Sequence, residues 1–103
     1  MPAEDDGERL DFVRCDSNEP VTFISIAYHS RHGGRFACFL RVRPNTTIAQ
    51  FRRMLANANE DSLPGFPRGE LTIAFCGQRI GRDNVFLEDI VGNEEHALDI
   101  RVV

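Results

Sequence analysis

Lysine is missing from this sequence, and all twelve of its basic residues are arginine. No internal side chain therefore offers the primary amine to which a protein modifier could be joined. An apolar run of the roughly 18 residues needed to cross a bilayer is missing as well, and so is a hydrophobic secretory leader. Both absences predict an intracellular chain, cytoplasmic or nuclear. Cysteine is scarce and odd in number: Cys15, Cys38 and Cys76 share no two-residue spacing. A disulfide framework, a zinc ribbon and a four-cysteine iron–sulfur site are thereby excluded, and reduced thiols are expected.

Catalytic constellations are also lacking. No phosphate-binding loop, catalytic triad or pair of carboxylates at working distance can be read from the spacing. Cys76 stands beside Gly77 with no histidine, lysine or acid placed by sequence to activate it. His29, His32 and His96 are too few for a zinc site without a fourth ligand. The expectation is a chain that is not an enzyme, with neither metal nor cofactor.

What is present fits one small domain: 103 residues, 42% hydrophobic and 27% charged. A core of this size buries about 60–65% of the unfolded surface, which leaves little room for a deep active site. A binding module is the default. The net charge of −4 is unevenly placed. Residues 1–20 carry seven acids against Arg9 and Arg14, whereas the remainder carries ten arginines against nine acids. We expect residues 1–20 to form an acidic, disordered extension, because they hold too little apolar surface to order themselves. The nine acids of the body offset its arginines, and aromatic and basic residues do not interleave. Neither nucleic acid nor membrane is an expected partner, and the chain is read as a monomer.

From residue 21 onward the pattern is regular. Val21 to Tyr28 reads as a strand, with Ile24 and Ile26 on one face and Phe23, Ser25 and Ala27 on the other. Gly33-Gly34 marks a hairpin loop, and Phe36 to Arg43 alternates again. Pro44-Asn45-Thr46 breaks the strand, and Thr47 with Gln50 has the spacing of a capping box. The helix that follows carries Ile48, Phe51 and Leu55 on one stripe. A loop rich in proline and glycine, 57–69, leads to Leu71-Thr72-Ile73-Ala74-Phe75, whose alternation predicts a half-buried strand. Gly77-Gln78-Arg79 turns the chain, and Ile80 returns to the core. Leu87 and Ile90 are expected to plug the core from an irregular or short 3₁₀ segment. Leu98 and Ile100 point inward from a last strand at 97–103.

This order of elements, with the stretch Phe75-Cys76-Gly77-Gln78-Arg79-Ile80, resembles the ubiquitin-like β-grasp family. It is most similar to SUMO and the SUMO-like domains, whose turn reads Phe-x-Gly-Gln-Arg-Ile. The Pro44-x-x-Thr47-Ile48 link and the run Asp83-Asn84, Glu94-Glu95, Leu98-Asp99-Ile100 add to the likeness, which covers residues 21–103. The resemblance implies an α+β fold in which a ββαββ mixed sheet packs on one helix. It also implies a non-catalytic protein–protein interaction module, acting on a ubiquitin- or SUMO-pathway enzyme or on an acid-flanked hydrophobic peptide. A conjugated modifier of this family ends in a flexible diglycine, and this sequence ends Ile100-Arg101-Val102-Val103. The alternative is a modifier whose Gly-Gly tail is not part of this sequence.

Ubiquitin's apolar recognition patch is largely replaced here, with Ala74, Asp99 and Arg101 at the matching positions. SUMO receives acid-flanked apolar segments on its second strand and the neighbouring helix. Such docking needs a strand edge, an apolar groove and cations. The edge would be Phe36 to Arg43, the groove Phe39, Leu40, Val42 and Phe51, and the cations Arg41, Arg43 and Arg52. The competing reading is that Leu40, Val42 and Phe51 are core, and that the arginines guard an edge strand. Phe23 and Phe39, both outward on adjacent strands, mark a second contact surface.

Overall fold

A computed structural model describes residues 10–92 and 96–102. The chain forms β1 (Thr22–His29), β2 (Arg35–Val42), α1 (Ile48–Ala56), β3 (Leu71–Phe75), β4 (Gln78–Arg79), α2 (Leu87–Val91) and β5 (Leu98–Val102). These elements make an α+β domain with one mixed five-stranded sheet, ordered β2-β1-β5-β3-β4. β1 and β5 run parallel at its centre, and the remaining pairs are antiparallel.

Period-two alternation sorts the strand residues onto two faces. Ile24, Ile26, Tyr28, Leu40, Val42, Leu71, Ile73, Leu98 and Ile100 form the inner face and are buried. Ile48, Phe51, Met54 and Leu55 of α1 join them in one core cluster. The stripe follows the expected helical spacing, with Met54 as an added member. α1 begins where the sequence places it: the Thr47 side chain accepts from the Gln50 amide, and the Gln50 side chain accepts from the Thr47 amide. The preceding turn uses Asn45 at φ 68°, a left-handed conformation that asparagine tolerates well.

The helix start is also stitched to the return segment. Ile48 N donates to Val85 O, Ala49 N to Asp83 O and Leu87 N to Thr46 O. Leu87 and Val91 then fill the core from α2, with Ile90 only partly buried. This segment is a five-residue α-helix rather than an irregular or 3₁₀ turn. One turn of α-helix brings 87 and 91 onto the same face, which is why Val91 takes the deeper place expected of Ile90.

After β3 the turn is a tight hairpin. Cys76 and Gly77 have φ of 53° and 80°, the positive values a type I′ connection demands at both central positions. Gln78 and Arg79 are therefore not part of the turn but form the short edge strand β4.

The longest loop, 57–70, is pinned rather than loose. Tyr28 Oη donates to Pro64 O at 2.7 Å, and burial raises its pKa. Arg31 Nη1 donates to Phe66 O at 2.8 Å, and Arg31 Nη2 pairs with Glu60 at 3.0 Å. Leu63 and Phe66 are thereby carried into the core. Among the described residues no helix is long and apolar enough to cross a membrane.

Candidate functional site

The expected docking strand lies at the margin of the sheet. β2 pairs with β1 on one side, and among the described residues no strand pairs with its other side. A row of main-chain groups there is a template for an incoming segment. The chain supplies such a segment itself. Val13 N donates to Arg41 O at 2.9 Å, the geometry of a ladder hydrogen bond.

The apolar side chains around that bond are wholly or partly withdrawn from solvent. Val13 is buried at 4% exposure, and Leu10 and Phe12 pack against the core cluster. The Phe12 ring meets the Phe51 ring edge-on, with centroids 6.5 Å apart. Burying a valine in this way is worth about 1.5–3 kcal/mol relative to exposure. Of the extension expected at 1–20, residues 10–20 are described and partly packed on the domain, while residues 1–9 lie outside the described residues. Averaged over the leader, apolar content is low. Leu10, Phe12 and Val13 are close enough in sequence to bury together against one strand edge, and that is sufficient.

Arg43 closes the arrangement electrostatically. Its Nη1 donates to Asp11 O at 2.9 Å and to Asp11 Oδ1 at 3.2 Å. Its Nε and Nη2 meet the two carboxylate oxygens of Glu19 at 2.9 and 3.4 Å, a bidentate pairing. Asp11 stands between Leu10 and Phe12 and Glu19 follows Val13 by six residues, so one guanidinium holds an acid within the apolar stretch and a second acid beyond it.

The remaining residues expected at the site separate into three groups. Leu40, Val42 and Phe51 are core residues, exposed by 7% or less. Arg52 pairs with Asp83 on the return segment, whose carbonyl accepts from the Ala49 amide at the start of α1. Phe39 does not line the groove with Leu40: neighbours in a strand point to opposite faces, and Phe39 lies on the outer face, 75% exposed. There it pairs in register with Ser25, one step from the Phe23 and Arg41 pair. The Arg41 guanidinium lies 5.0 Å from the centroid of the Phe23 ring, a cation–π contact. Phe23, Phe39 and Arg41 thus form a second, aromatic surface, bordered by Val91, Gly92 and His96.

Further along this outer face the residues are small or charged. Ala37, Ala27, Asp99, Ala74 and Arg79 lie in one row across the strands. Asp99 sits between Arg35 at 3.7 Å and Arg101 at 3.0 Å. The three thiols, Cys15, Cys38 and Cys76, are free, and burial raises the pKa of Cys38, which keeps that thiol protonated. Among the described residues no three histidines, cysteines or acids gather as they would around a metal ion. Against known proteins the chain finds no match, whether with a family model, a curated protein or a solved structure.

Proposed function

We propose that this chain is a non-catalytic interaction module of the ubiquitin-like β-grasp type, closest to the SUMO-like domains. It receives an extended, acid-flanked apolar segment along the outer edge of β2. One observation carries this reading: the Val13 to Arg41 hydrogen bond, with Leu10 and Phe12 packed on the core cluster and Arg43 on the carboxylates of Asp11 and Glu19. A groove that takes such a segment from its own chain has the edge, apolar lining and cation that a partner's segment needs. The partner is an intracellular protein, and the aromatic surface of Phe23 and Phe39 offers it a second contact.

The experiment is an isotope-edited titration on a chain carrying Val13→Pro, which has no amide to give Arg41. An acid-flanked apolar peptide should shift the amides of Leu40 to Arg43 and of Phe51. A well-dispersed spectrum in which none of these moves, even at millimolar peptide, rejects the docking role.

A further inference from the structure

We propose that residues 10–19 are a resident ligand of the β2–α1 groove, tethered so that a partner segment of the same chemistry must displace them to bind. This rests on the docking reading above and adds to it the partner's pattern and a means of control. The pattern is read from the occupant. An apolar residue, an acid, an aromatic and a β-branched residue stand in order at Leu10, Asp11, Phe12 and Val13, and a second acid follows at Glu19. Each has a matching feature: the core cluster for Leu10, Arg43 for both acids, Phe51 for the ring, and the Arg41 carbonyl for the amide.

The occupant is held in a way that permits exchange. β1 and β2 are joined over an eight-residue register, whereas a single main-chain hydrogen bond joins Val13 to β2. None of residues 10–21 belongs to a helix or strand. Asp11 is 64% exposed at its side chain, so its pairing with Arg43 is readily screened by salt. Only residues 14–21 separate Val13 from β1, and so short a tether holds the segment near its groove at an effective concentration in the millimolar range. A free segment therefore meets a groove already filled, and its apparent affinity drops by the fraction of time the groove is open. Control follows from chemistry on the tethered segment itself, because neutralising or displacing its acids changes how much of the groove is available.

The test uses full-length chains and, as probe, a synthetic peptide reproducing residues 8–19, with reductant present for its cysteine. Binding is measured for the unaltered chain, for Val13→Pro, and for the double variant Asp11→Asn, Glu19→Gln, which leaves the core untouched. The apparent Kd should fall about tenfold or more in Val13→Pro and several-fold in the double variant. The Val13 amide of the unaltered chain should also exchange with solvent far faster than the amides at the centre of β1. Equal affinity across all three chains, or a Val13 amide as protected as those of β1, overturns the proposal, because the segment is then a permanent part of the fold. Should Val13→Pro fail to fold, the double variant and the exchange measurement decide the matter. If folded chains of every kind ignore the peptide, the docking reading is itself wrong and the proposal falls with it.

Discussion

A Cβ added to Gly65 would stand 2.1 Å from the hydroxyl oxygen of Ser30. The two residues belong to different loops, and their contact is where the 57–70 segment closes on the β1–β2 hairpin. Gly65 also has φ of +65°, a conformation costly for other residues. Gly65→Ala should therefore lower stability by about 1–3 kcal/mol. Urea unfolding should show an earlier midpoint at unchanged slope.

The same closure makes a pH-dependent contribution. Glu60 accepts from the Gly65 amide at 2.7 Å and from Arg31 at 3.0 Å, and these contacts hold its carboxyl below the usual carboxylate range, the amide more strongly than the guanidinium. The folded chain thus binds this proton less tightly than the unfolded chain. The stabilisation is complete above the ordinary glutamate pKa and is lost as the pH falls through the depressed one. Glu60→Gln should lower the melting temperature at pH 7 and change it little near pH 3.

Neighbouring residues on β2 should respond in opposite ways. Leu40→Ala removes a core side chain and should cost about 2–5 kcal/mol. Phe39→Ser alters a ring on the outer face and should change stability by about 0.5 kcal/mol or less. Equal losses in thermal melts would place both side chains on one side of the sheet, against the alternation.

The reciprocal cap at the start of α1 gives a local measure. Thr47→Ala removes the acceptor for the Gln50 amide and should cost about 1 kcal/mol. Thr47→Ser should retain most of that amount, which separates loss of the hydroxyl from loss of the methyl.

Most of this fold can be read in the sequence because its signals are local. The Thr47 and Gln50 pair, the alternation of Leu71 to Phe75 and the break at Pro44 each act over a few residues. What escapes is set by contacts distant in sequence. The segment at Leu10 to Val13 has no periodicity of its own and gains order only from β2 and α1, about thirty to forty residues away. Its acids mask its apolar residues in any average, although Leu10, Phe12 and Val13 beside Asp11 repeat in miniature the ligand pattern inferred for the groove. The pairing of Phe39 with Leu40 as groove lining has another origin. It follows the position of a binding strand and neglects the pleat, which allows only every second residue to face the helix. Arg52 is similar: its place on α1 is legible, but its pairing with Asp83 depends on how the return segment crosses the helix start.

The two margins of the sheet differ in what they leave open to other molecules. At one, β4 is only two residues long, too short to seed strand-on-strand growth. At the other, β2 is eight residues long and carries two phenylalanines, a leucine and a valine beside its two arginines, an edge long enough to pair with another chain. The short amino-terminal segment covers part of that margin at Arg41, so under the docking proposal it would also shield the edge from other copies. A chain stripped of it would become sticky at high concentration, which sets a practical bound on how far the groove can be opened before copies of the protein begin to find one another.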